Sequence, residues 1–182
     1  RAYKDTWRCN KELNGGGILI DQGIHLLDIM DLLAGGFDVN QSLLSDNFLN
    51  IKGVEDNAFV NLYSSKNKIS ASLHSTITQW RYLFSLEIFL EGGAIILNGL
   101  RTSSGNYGEE ILSIRHNVVR SPTKKTKDQE IKYSINNSWE KEIAAFVRSV
   151  ESNSAYPYAG LREAKNIMAL LESIYSGAVW TN

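Results

Sequence analysis

Two runs near the middle of the chain alternate with a period of two, a pattern that only a strand with one covered face satisfies. Ile69, Ala71, Leu73 and Ile77 are interleaved with Ser70, Ser72, His74, Thr76 and Thr78, and Phe84, Leu86, Ile88 and Leu90 repeat the pattern. Successive side chains of a strand point to opposite faces, so one set packs on a core while the other stays polar. Turn residues at 64–67 join the first run back to 58–63, and Gly92-Gly93 returns the second run into 94–97. Connections this short make neighbouring strands antiparallel. Residues 131–135 read as one further strand.

The flanks have a helical period instead. Residues 17–34 are helical in composition and stop at Gly35-Gly36, where a left-handed cap is wanted. Asn137 with Glu140 three residues on resembles a capping box, and Trp139, Ile143, Phe146 and Val150 then lie on one helical stripe. After Gly160 a last helix carries Leu161, Ala164, Met168, Leu171, Tyr175 and Ala178 at spacings of three and four. Helix, antiparallel strands and two helices in that order predict an α+β fold, a largely antiparallel open sheet with helices packed on one face. No repeat or shift in composition divides the chain, so residues 1–182 read as one domain.

Composition removes several classes of function. With 43% hydrophobic and 21% charged residues the chain is an ordinary globular one, and a formal charge of -1 gives no general attraction to nucleic acid or acidic membranes. Lys124, Lys125 and Lys127 cluster beside Asp128 in a proline-containing stretch that reads as a solvated loop. Cys9 is the single cysteine, which excludes an internal disulfide and fits a reducing compartment, with cytoplasm the expected location. No apolar run approaches the roughly 20 residues of a spanning helix, and no secretory signal opens the chain. The first residue is Arg1, and the expectation is a fragment of a longer protein.

The candidate chemistry lies in the first helix. On a wheel of 3.6 residues per turn, Asp21, His25 and Asp28 fall in one sector, while apolar residues from Ile18 to Leu33 fill the rest. A helix apolar almost all round is buried, so the polar stripe is expected to face a cleft. There His25 would exchange protons near neutrality beside Asp21. The spacing alone equally allows Asp21 as a helix-dipole partner and His25 as a satisfied core histidine. Gly15-Gly16-Gly17 before the helix lets backbone approach a cofactor or substrate closely, but it lacks the strand and spacing of a dinucleotide fingerprint. Asp21, His25 and Cys9 have no recognised metal-ligand spacing, so no metal is expected.

At these residues the sequence resembles a known family. Trp7-Arg8, followed by the run from Gly15 through Asp21, Gln22, Gly23 and His25 to Asp28, is similar to the motif GGG-x-x-x-D-x-G-x-H-x-x-D of the glucose-fructose oxidoreductase and inositol dehydrogenase family. The likeness continues through Glu55-Asp56-Asn57-Ala58, the run at 85–89, and Trp139, Glu142 and Phe146. It implies a C-terminal α+β domain that contacts substrate and oligomerises through its open sheet face, as a homodimer or larger. An N-terminal Rossmann domain, not among these residues, would bind NAD or NADP. By position Asp21 and His25 match the family's catalytic aspartate and histidine. The lysine of its Glu-Lys-Pro motif has no counterpart here, so these residues alone are expected to be inactive. Trp7, Arg8, Gly16, Gly17, Gln22 and Tyr107 are the expected substrate or cofactor contacts, and a sugar, in some members nucleotide-linked or phosphorylated, is the implied substrate. Two other functions fit the same resemblance: an NAD-assisted glycoside hydrolase or lyase, and a non-catalytic sugar-binding or oligomerisation domain.

Overall fold

The computed structural model describes residues 3–116, 128–157 and 160–181; Lys124, Lys125 and Lys127 lie outside them. Among the described residues the longer elements are α1 (Lys11–Asn14), α2 (Ile24–Ala34), β1 (Val39–Ser45), β2 (Asn57–Ser64), β3 (Ile69–Thr76), β4 (Ser85–Leu90), β5 (Gly93–Asn98), β6 (Glu110–His116), β7 (Gln129–Tyr133), α3 (Ser138–Ser152), α4 (Leu161–Gly177) and β8 (Val179–Thr181). The architecture is α+β. The alternating segments form two four-stranded sheets, ordered β3-β2-β1-β8 and β4-β5-β6-β7, in place of the single sheet expected. Every pairing is antiparallel except β1 with β8. The contacts gather into two compact units, Arg1–Thr78 with Tyr156–Asn182, and Gln79–Ala155.

The first unit has the expected one-sided cover. Leu44, Ala58, Val60, Leu62 and Leu73 from β1–β3 meet Leu27 and Met30 of α2, Leu171 and Ile174 of α4, and Leu19. Gly35 ends α2 in the left-handed conformation (φ 72°), its N–H donating to the Asp31 carbonyl. The inward residues of α4 are Ile167, Leu171 and Ile174, whereas Leu161 and Met168 of the expected stripe are exposed. Leu171, Tyr175 and Ala178 of that stripe do meet the core, so contact with the sheet turns the helix toward Ile167 and Ile174 and leaves the stripe's start exposed. A smaller cluster gathers Cys9, Leu49 and Val54, with Ile77 packed against it just beyond β3. The strand beside β3 is β2, as the turn at 64–67 requires, and the Phe84–Leu90 run belongs to the other sheet.

In the second unit the register puts Leu86, Leu97, Leu112 and Ile131 in one row across the sheet, with Ile88, Ile95 and Ile114 in the next. Two expectations for α3 fail. Asn137 makes no side-chain cap, and the Ser138 N–H donates to Asn136 Oδ1 instead. Trp139, Ile143, Phe146 and Val150, expected to face the core, are all exposed, while the small Ala145 and Ser149 are buried.

Candidate active site

The loop and helix that carry the motif are built around a buried carboxylate. Glu55 is fully buried and accepts from Gly17 N–H (2.8 Å), Leu19 N–H (2.9 Å) and the Tyr175 hydroxyl (2.7 Å). Burial pushes the Glu55 carboxyl up against the pull of these donors, and burial beside that carboxylate pushes the Tyr175 phenol up strongly. The close approach that the glycines permit is used here. A Cβ on Gly17 would overlap the Glu55 carbonyl oxygen, and one on Gly16 would overlap the Tyr175 hydroxyl. With its N–H already given to Glu55, and an anion beneath it, this loop does not fit as a cradle for dinucleotide phosphates. A cofactor's phosphates would have to be held by other residues.

Asp21 does not sit in a regular helix. Leu19–Gly23 forms one π-helical turn before α2 begins, so the 3.6-residue wheel drawn through Asp21 and His25 is interrupted between them. Such turns occur often at functional sites. Asp21, with 9% of its side chain exposed, pairs with Arg8 (Nε to Oδ1, 2.9 Å) and accepts from the Tyr3 hydroxyl (3.1 Å) and, at 3.3 Å, from Gln22 Nε2. Burial and the Asp21 carboxylate push the Tyr3 phenol well up. Arg8 lies over the Trp7 ring, 4.8 Å from its centre. Two short 3₁₀ turns, Tyr3–Asp5 and Trp7–Cys9, deliver these side chains, and buried Cys9 fastens them by bonding the Tyr3 carbonyl (3.3 Å).

His25 and Asp28 are exposed on α2, and no hydrogen bond among the described residues joins either to Asp21. The expectation that the rest of α2 would be buried also fails: Leu32 is 79% exposed and Leu33 56%. Tyr107 belongs to the second unit, where it meets Tyr82 edge-on with ring centres 5.2 Å apart. Tyr3, Glu55 and Tyr175 were missed as site residues. Their contacts span 18 to 120 positions, beyond any local spacing rule. The described residues contain no group of three or more side chains able to hold a metal ion, and none of their helices is long and apolar enough to cross a membrane.

The first unit is a mostly antiparallel sheet backed by helices, an α+β arrangement and not a doubly wound one, and it carries the bonded Arg8–Asp21–Tyr3 network. The GFO/IDH/MocA C-terminal domain matches residues 1–96. That is more than half of the 182 residues, and the chain belongs to this family of oxidoreductases. The fold is similar to that of the crystal structure of aldose-aldose oxidoreductase from Caulobacter crescentus complexed with glycerol, with a TM-score of 0.74 at 16% identity over 97% of this chain. This chain spans 50% of that one. No curated protein matches it.

Proposed function

We propose that this chain is the substrate-side half of an NAD- or NADP-dependent oxidoreductase that moves a hydride between a sugar hydroxyl carbon and nicotinamide. The observation that carries the reading is the Arg8–Asp21–Tyr3 network at the π-helical turn, with the exposed imidazole of His25 following on α2. Nicotinamide, when bound, supplies the hydride acceptor. His25 takes the proton of the hydroxyl whose carbon is oxidised. Asp21, the aspartate matching the catalytic position, holds Arg8 and Tyr3 in one arrangement, so that the guanidinium and the Trp7 ring present an ordered surface to a polar substrate. Gln22, bonded to Asp21, completes the expected contacts of this unit with substrate.

The test uses the chain joined to its nucleotide-binding half. Replacing His25 with alanine should lower kcat about 100- to 10,000-fold, the usual contribution of general acid–base catalysis, with cofactor Kd unchanged. Turnover close to that of the parent protein would remove His25 from the mechanism. Net formation of NADH from a sugar separates this reading from a hydrolase or lyase, which would return NAD after each cycle.

The proposal extends to association. On the open face of the first sheet, His74, Phe59, Leu43 and Val179 fall in register across all four strands, and all are exposed. Interfaces favour such low-charge, aromatic-containing rows. The reading is a homodimer, or a larger assembly of such pairs, formed through this face.

A further inference from the structure

Three successive backbone N–H groups leading into the π turn all donate to one residue. Gly17 and Leu19 give theirs to the Glu55 side chain, and Ile18 gives its own to the Glu55 carbonyl (2.8 Å). The start of a helix leaves such donors without partners inside the helix, and here a buried carboxylate from the segment before β2 takes them. Tyr175 of α4 donates its hydroxyl to the same carboxylate, so the anion is itself tied to a second element.

The π turn Leu19–Gly23 that follows carries Asp21. The Asp21 N–H donates to the Gly17 carbonyl (3.1 Å), within the residues that Glu55 holds, and the Asp21 carboxylate then meets Arg8 and Tyr3. Each residue turns a helix by about 100°, so an uninterrupted α-helix would put Leu27 about 80° away from Leu19 around the axis. The π turn absorbs one residue and brings both into the same core, where each is fully buried. A first turn that slipped by one residue into regular α-helix would rotate Asp21 by about 100° relative to α2. Burial of Leu19 opposes that slip but, being non-directional, tolerates smaller rotations. Hydrogen bonds weaken steeply with angle, and those to Glu55 hold each N–H in place.

We propose that Glu55, tied by Tyr175, is a positioning residue for the active site: it fixes the register of the π turn and, through it, the meeting of Asp21 with Arg8 and Tyr3. Its effect on turnover rests on the oxidoreductase reading above; the geometric part stands without it. The neighbouring Asp56 supplies an internal comparison. It is also fully buried, but its Oδ2 accepts from the Phe48 N–H (2.7 Å) and the Leu49 N–H (2.8 Å), which belong to the loop after β1 and not to the π turn.

Nuclear magnetic resonance of the 182-residue chain tests the geometric part through the Arg8 Nε–H signal, assigned with Arg8→Lys and referred to its position in Asp21→Ala, where the bond is lost. Glu55→Gln is expected to move the signal toward that position, Tyr175→Phe to move it the same way by less, and Asp56→Asn to leave it in place. Circular-dichroism melts establish that each variant is compared while folded, and should Glu55→Gln fail to fold, Tyr175→Phe carries the test. With the nucleotide-binding half joined, and D-glucose and myo-inositol offered with NAD and NADP, Glu55→Gln should lower kcat by about 100-fold at unchanged cofactor Kd, the scale on which a displacement of about 1 Å costs turnover. Asp56→Asn should keep the parent rate. The proposal is overturned by an Arg8 signal unmoved in the folded Glu55 or Tyr175 variant, by Asp56→Asn moving it as far, or by Glu55→Gln turning over at the parent rate. A parent protein that forms no NADH or NADPH from either substrate counts against the redox reading alone, and the Arg8 signal then decides for or against the positioning role.

Discussion

At the scale of single residues the most consequential group is Glu55, whose two oxygens satisfy three donors from two distant segments. Glutamine in its place keeps one oxygen and turns an NH₂ group toward a donor. Leaving such a buried group unpaired costs about 1–3 kcal/mol, so Glu55→Gln should lower the denaturant midpoint clearly, and an unchanged midpoint would mean that the loop is held by other contacts. Gly17→Ala acts on the same place from the other side. Its methyl group must displace the Glu55 backbone, and overpacking of this kind costs about 1–3 kcal/mol. Thermal unfolding of the two single variants and the double variant checks that they share one cause, because coupled sites give a non-additive sum. The triplet of glycines is visible in the sequence, but the backbone it must fit against comes from residue 55, so the reason for it appears only in the fold.

At the scale of elements, β2 and β3 join through a cross-strand pair that also titrates. Phe59 and His74 lie opposite each other and stack with ring centres 4.1 Å apart and planes 9° from parallel. Burial pushes the His74 imidazole below its ordinary value. The folded chain then takes up this proton at lower pH than the unfolded chain, whose histidine titrates near ~6.5. Between the two values the unfolded state binds more protons, so the contribution of His74 to stability is fully present above ~6.5 and is lost as pH falls through the folded value. Unfolding midpoints measured between about pH 5 and 7.5 should rise with pH, and His74→Phe should flatten that rise. A slope identical in the variant would assign the titration elsewhere. The period of two put His74 on the uncovered side of its strand, where it is exposed. The short turn at 64–67 named β2 as that strand's neighbour, but that β1 and then β8 lie beyond β2 could not be read, because such pairing is chosen by long-range contact and not by the local pattern.

At the scale of the whole molecule, two expectations concern what the chain binds. The 182 residues hold no strand-glycine-helix phosphate site, and the one glycine run before a helix is filled by Glu55 and Tyr175. Calorimetry should therefore register no NAD or NADP binding to this chain, and micromolar affinity would contradict the proposed division of labour. Light scattering over a concentration series should show a dimer, and Phe59→Glu with His74→Glu should dissociate it by setting like charges against each other at the centre of the face. A dimer indifferent to that pair would exclude this surface. By itself the sequence determined the element types, the left-handed stop at Gly35, the α+β class and the family motif, because each depends on neighbours within a turn or a hairpin. Tertiary structure alone decided that the strands split into two sheets, that Ile167 and Ile174 of α4 join Leu171 in the core while Leu161 and Met168 stay exposed, and that Asp21 answers to Arg8 and Tyr3 and not to His25. Those outcomes depend on which surfaces exclude water together and which buried donors meet which acceptors, and both are set by segments far apart in the chain.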